Sequence, residues 1–229
     1  VTASFGGILL GLLVGLRHAF EPDHLTAVST LVTETRDGRR GALLGAMWGV
    51  GHTVSLVVVG LVLMIIDASL PERVAAGFEL AVSAMLLLLG VRAIARALRP
   101  PRGATATPHR HGPHTHAHPE VVPHIHVAGR VVAWRPLVIG LVHGLAGSGA
   151  LTALVFAELP TAALRLLYIT LFGVGSVAGM AIASGVAGLS LHAAASHDRT
   201  RRTLALVTGA LSVAVGVAWS VPMLKLLLA

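Results

Sequence analysis

Apolar runs long enough to cross a lipid bilayer recur six times along this chain, at about 5–33, 41–66, 74–97, 136–157, 162–189 and 203–227. A helix of roughly 20 residues spans the hydrocarbon core. A spanning segment must also satisfy its backbone internally, which favours helices. The chain is therefore expected to be all-α and polytopic, with six transmembrane helices. Charged residues make up only 12% of the 229 positions, against 55% hydrophobic, and mean hydropathy is +0.81. Soluble domains carry about twice that charge. The first run lacks a long basic preamble and an obvious cleavage site, so it reads as a retained span rather than a signal peptide.

The net charge of +7 invites a nucleic-acid reading, which its distribution opposes. Arg36, Arg39 and Arg40 lie between runs one and two; Arg92, Arg96, Arg99, Arg102, Arg110, Arg130 and Arg135 lie at or between the ends of runs three and four; Arg199, Arg201 and Arg202 lie between runs five and six. These connections share one side of a six-span chain and hold 13 of its 17 basic residues. The positive-inside rule puts that side in the cytoplasm, a bacterial one, with both termini outside. Basic charge here sets topology, and no nucleic-acid partner is expected. The absence of cysteine removes disulfides and thiolate metal sites.

The two halves resemble each other. Gly15-Leu16-Arg17-His18 matches Gly140-Leu141-Val142-His143, and Trp48-Gly49-Val50-Gly51-His52 matches Phe172-Gly173-Val174-Gly175-Ser176. Ser83-Ala84 and Gly90-Val91 match Gly209-Ala210 and Gly216-Val217, so the offsets are 125, 124 and 126 residues. Three spans per half make the second half enter the membrane in the opposite sense, an inverted repeat of the kind that holds substrate near the midplane in secondary transporters. The expected organisation is a first three-helix repeat at 1–99, a cytoplasmic loop at 100–135 and a second three-helix repeat at 136–229.

Within the first run sits His18-Ala19-Phe20-Glu21-Pro22-Asp23-His24. Intramembrane ionisable groups are rare and commonly mark an ion or substrate path. Pro22 withholds a donor from the carbonyl of His18 and crowds that turn, so span one should kink or break there and leave carbonyls free beside the site. On an ideal helix His18 and His24 lie about 240° apart, and only such a break lets both reach one ion. Arg17 and Glu21, four residues apart, are expected to pair as structural support. His52, in Gly-Val-Gly-His-Thr, and His143, at the repeat position of His18, complete a candidate metal set of His18, Asp23, His24, His52 and, less directly, His143. The second half lacks counterparts of Asp23 and His24, so the site should be asymmetric.

A polar, Pro-rich loop then carries His109, His111, His114, His116, His118, His124 and His126. Such a run can collect Ni, Co, Cu or Zn without fixed geometry, or it can be a pH-sensitive or low-complexity linker.

Arg17-His18-Ala19-Phe20-Glu21-Pro22-Asp23-His24 resembles the first signature of the nickel/cobalt transporter (NiCoT/NicO) family, Arg-His-Ala-x-Asp-Ala-Asp-His. The Gly-x-Gly-His-Thr around His52 is similar to that family's second signature. Glu21-Pro22 in place of Asp-Ala, His143-Gly144-Leu145-Ala146-Gly147-Ser148 and the His-rich loop look more like the short UreH-type, urease-accessory branch. The resemblance implies nickel or cobalt recognition by His18, Asp23, His24 and His52. It also implies Ni²⁺ or Co²⁺ as the transported ion, with no prosthetic group.

The expectation is thus a membrane transporter, not an enzyme, for a divalent transition metal. Imidazole and one carboxylate suit Ni, Co, Zn or Cu better than Mg or Ca. Transport should weaken as pH falls towards about 6, because an imidazole must be unprotonated to bind metal. No P-loop is present, so coupling would be to an ion gradient, to the membrane potential or to nothing. Two other readings stay open: an intramembrane zinc hydrolase with Asp23 as general base, and an exporter of small organic or sulfur anions, against which only Arg17 lies at the membrane core. A second copy of the chain and a metallochaperone are the partners left open besides the ion and the lipid bilayer.

Overall fold

The computed structural model describes residues 2–32, 38–66, 70–99, 107–111, 114–118, 125–127, 130–132, 134–194 and 198–228. Among these the chain forms seven helices: α1 (Thr2–His18), α2 (Pro22–Val32), α3 (Gly38–Ile66), α4 (Glu72–Leu98), α5 (Trp134–Glu158), α6 (Ala162–Ala194) and α7 (Asp198–Leu228). Within the described residues, four stretches are long and apolar enough to cross a membrane by length and composition: Gly38–Ile66, Glu72–Leu98, Ala162–Ser190 and Arg202–Leu228. The first apolar run is divided into pieces of 17 and 11 residues, and α5 has 25.

That division follows from Pro22. α1 closes in a turn, with the Phe20 N–H donating to the Arg17 carbonyl at 2.9 Å and the Glu21 N–H to the His18 carbonyl at 3.0 Å. The Leu25 N–H then donates to the Glu21 carbonyl at 2.9 Å and opens α2. Pro22 is the first residue of α2, a position where its missing N–H would have had no partner and its fixed φ suits the helix. The expectation of free carbonyls beside His18 is corrected here, since the turn takes up those of Arg17 and His18.

α3 packs along α5 and α6, α1 along α6, and α4 along α7. The approaches are close enough to need glycine. A Cβ at Gly15 would strike the carbonyl of Phe172, and one at Gly140 would strike that of Trp48. Likewise Gly51 abuts the Leu137 carbonyl and Gly175 that of Leu12. Each member of these pairs maps onto the other when the offset between the halves is applied. Hydroxyl bonds cross the same seams: Ser55 Oγ donates to the Leu141 carbonyl at 2.7 Å and Ser212 Oγ to the Leu86 carbonyl at 2.8 Å. Small residues and such bonds are how helices associate where lipid gives no hydrophobic drive.

Trp48, Val82, Leu86 and Met180 are buried in the core. Leu9, Leu13, Val58, Ile65, Leu88 and Val186 face outward, as lipid-facing positions should, while His24, His52 and His143 are inside. Apolar outside and polar within is the reverse of a soluble domain.

The architecture is all-helical, and two short ribbons lie in the connection between α4 and α5. Strands β1 (Thr107–His111) and β2 (His114–His118) pair antiparallel, as do β3 (Ile125–Val127) and β4 (Arg130–Val132). Alternation of His with other residues, and the β-branched Ile125, Val127, Val131 and Val132, supply a two-residue period that helices do not use.

Candidate metal centre

Four helices converge on the five residues singled out above. His18 ends α1, Asp23 and His24 lie in the first turn of α2, His52 is the middle residue of α3, and His143 lies on α5. The break at Pro22 removes the 240° problem, because His18 and His24 belong to separate helices. Ring centroids lie 4.4 Å apart for His18 and His24, 5.3 Å for His18 and His52, 5.2 Å for His24 and His52, and 4.1 Å for His24 and His143. Ligand atoms of His18, His24 and His52 all fall within 4.8 Å of one another, and so do those of Asp23, His24 and His143. His24 belongs to both sets.

Asp23 Oδ2 is 2.6 Å from His143 Nε2, a hydrogen bond that orients this ring, and 3.1 Å from His24 Nδ1 without bonding to it. Its Oδ1 has no hydrogen-bond partner, nor does either nitrogen of His24 or of His52, nor His143 Nδ1, nor the neighbouring Trp48 Nε1. Exposure of these residues is 4% for Asp23, 1% for His24, 0% for His52 and 2% for His143. Burying an unsatisfied polar atom costs about 1–3 kcal/mol, and imidazole nitrogens and a carboxylate oxygen gathered in this way could hold a metal ion. Nitrogen donors with one carboxylate suit a borderline transition metal.

Glu21 is not paired with Arg17. Its Oε2 lies 3.0 Å from His18 Nδ1, because the turn after His18 destroys the i,i+4 helical geometry on which the Arg17 pairing rested. A carboxylate on one ring nitrogen fixes the tautomer and leaves the other nitrogen for metal. Arg17 is exposed in the last turn of α1, where positive charge suits the helix dipole.

Three neighbours of the site were not singled out as site residues from the sequence. Trp48, fully buried, stacks on His24 at 5.4 Å and lies 5.5 Å from His143. Phe172 lies 5.2 Å from His18. Trp48 and Phe172 are matched positions of the repeat, as are His143 and His18, so each half sets one aromatic wall against one imidazole. That coincidence was the signal available in the sequence. Glu79 of α4 is the third, on the wall of a cavity of about 630 Å³ that reaches Asp23, His24 and His143.

The loop histidines lie elsewhere in the chain. His109 pairs with His116 and His111 with His114 across the ribbon, while His126 stands opposite Val131. His124 lies outside the described residues.

Buried imidazoles and a carboxylate gathered at a broken helix, inside a bundle with an apolar exterior, define a helical membrane protein that handles metal ions. The chain belongs to the NicO family, described as high-affinity nickel-transport protein, which it matches over residues 4–228. It is 30% identical to the urease accessory protein UreH of Bacillus sp. (strain TB-90) over 210 residues, 92% of this chain and 88% of that protein. A high-affinity nickel transport protein of Cupriavidus necator is 33% identical over 75 residues, 32% of this chain and 21% of that protein. No solved structure matches the chain. The family's activity is transport, which sets aside the zinc-hydrolase and anion-exporter readings.

Proposed function

We propose that this chain carries Ni²⁺ across a bacterial cytoplasmic membrane through a dehydrated site made by His18, Asp23, His24 and His52, with His143 holding Asp23. The observation that carries the reading is the convergence of these groups from four helices, with Asp23 Oδ1 and both nitrogens of His24 and His52 buried and unpartnered. Cobalt is the alternative cargo that the same donor set accepts.

Six spans in two inverted repeats, 1–99 and 136–229, form the scaffold in this reading. Reciprocal contacts support it: α3 meets its counterpart α6 and α4 its counterpart α7, while α3 with α5 mirrors α6 with α1. Arginine gathers at the start of α3, the end of α4, and the starts of α5 and α7, which supports a cytoplasmic loop 100–135 with both termini outside. His109 and His111, and likewise His114, His116 and His118, recur at every second position of the sequence, a composition suited to metal capture on that side. A metallochaperone is the partner such a loop suits, and a second copy of the chain is the other.

Radioactive nickel flux into proteoliposomes tests the reading. Nickel movement should stop in His18→Ala, Asp23→Asn and His24→Ala; undiminished movement in the triple variant sinks the proposed site.

A further inference from the structure

The cavity that reaches the histidine cluster has an acidic wall that the cluster does not use. Glu79 lines it on α4, together with Asp23 and His24, and with Pro222 and Met223 from α7. Its side chain is half-buried, and no ion pair is formed by its carboxylate among the described residues. A carboxylate held inside an apolar bundle without a countercharge is costly and is characteristic of an ion path. Independently, Asp23 lines the same cavity, is 4% exposed and keeps Oδ1 without a partner.

Depth places Glu79 between the bundle end and the site. It lies seven residues into α4, about 10 Å at 1.5 Å per residue. His52 is fourteen residues from the adjoining end of α3, about 21 Å. The cavity lies towards the start of α4 and the end of α7, away from the helix ends that carry Arg39, Arg40, Arg92, Arg96, Arg135 and Arg202. Its volume of about 630 Å³ is far more than a bare ion needs. At about 30 Å³ per water it accommodates a divalent cation with its hydration shell. Conduction needs sites that bind well enough to admit an ion and weakly enough to release it. A single carboxylate in a wet cavity binds more weakly than imidazoles in a dry cluster.

We propose that this cavity is the ion's way between the cluster and the bundle end opposite the arginine-rich one, an end that itself carries Arg73, Arg165 and Lys225, and that Glu79 is a transfer ligand that holds the hydrated cation there and exchanges it with Asp23 and His24. The inference rests on the transport reading above. Glu79 touches the cargo, and the Asp23–histidine set retains it.

The chain has no cysteine, so single cysteines report access directly. Glu79→Cys and Met223→Cys, reconstituted in proteoliposomes, should react with a membrane-impermeant thiol reagent from the side away from the arginine-rich helix ends and not from the other. Reaction only from the arginine-rich side, or from neither, overturns the path. Glu79→Gln should lower nickel flux at sub-saturating Ni²⁺ about tenfold, the loss of one charge-assisted contact. Equilibrium Ni²⁺ binding by the purified variant should stay within about twofold of the parent, which also verifies folding, and Glu79→Asp should restore most of the flux. Parental flux at every concentration, or loss of binding as deep as in His24→Ala, overturns the role of Glu79. If His24→Ala also transports normally, the proposed metal site has failed instead.

Discussion

The two halves of this protein share a packing plan but not a chemistry. Gly15 against Phe172 has its counterpart in Gly140 against Trp48, and Phe172 beside His18 has its counterpart in Trp48 beside His143. At the positions proposed as ligands the likeness stops. His52 corresponds to Ser176, whose hydroxyl donates to the Gly15 carbonyl at 3.2 Å and thus serves packing. Asp23 and His24 correspond to Ser148 and Gly149. Duplicated contacts hold a scaffold together, whereas a carrier needs one site, so only one half has to keep the proposed ligands. His143 is the exception, reaching across to Asp23 from the second half.

The largest contrast should come from the matched pair His52 and Ser176. His52→Ala should cut nickel flux in proteoliposomes by about a hundredfold or more, as expected for loss of a metal ligand whose outer-shell partners alone are worth 10–100-fold. Ser176→Ala removes one neutral hydrogen bond of about 1 kcal/mol and should leave flux nearly unchanged while lowering thermal stability slightly. Equal losses of flux at the two positions would break the distinction between ligand half and scaffold half.

Glu21→Gln comes next. It keeps the shape of the side chain that meets His18 but weakens the orienting contact. Ni²⁺ affinity measured by equilibrium binding should fall about tenfold, at the lower end of outer-shell effects, because Glu21 is exposed. Arg17→Gln should leave affinity unaltered, and an effect as large as that of Glu21→Gln would restore the Arg17–Glu21 pairing read from spacing.

What the sequence disclosed follows the range of the interactions concerned. Pro22 acts on its own turn, so the break between α1 and α2 was legible from one residue. The clustered residues were legible because charge in an apolar run has few explanations, and His143 because the likeness of the halves pointed to it; what the structure adds is that they meet. The partner of Glu21 was not legible: i,i+4 pairing assumes a continuous helix, and the break that Pro22 causes hands Glu21 to His18. Trp48, Phe172 and Glu79 reach the site only through the crossing of distant helices, and an aromatic or a lone carboxylate has ordinary packing roles besides. The ribbon in the loop escaped because histidine has no strong strand preference, so its alternation was read as composition rather than as period two.

Packing equivalence gives a smaller and more symmetrical effect. Gly15→Ala and Gly140→Ala each push a methyl group into a backbone carbonyl of the other half. Overpacking of this kind costs about 1–3 kcal/mol, and thermal unfolding in detergent should fall by similar amounts for the two. A loss confined to Gly15 would mean that the seams are not equivalent and would weaken the inverted-repeat reading.

The segment that joins the halves should matter least for movement of the ion. If α3 with α6 and α4 with α7 bring the repeats together through their own faces, the connection need only span the distance between α4 and α5. Deleting 109–126 removes all seven loop histidines and none of the buried cluster residues. Maximal nickel flux should therefore persist within about twofold, while the number of Ni²⁺ ions bound at equilibrium falls, since clustered imidazoles bind such metals irrespective of the bundle. Comparing flux with stoichiometry on the same preparation separates the two regions. Collapse of flux with intact folding would make the loop part of the path, and the division between a ligand-bearing half and a scaffold half would then omit a third working part.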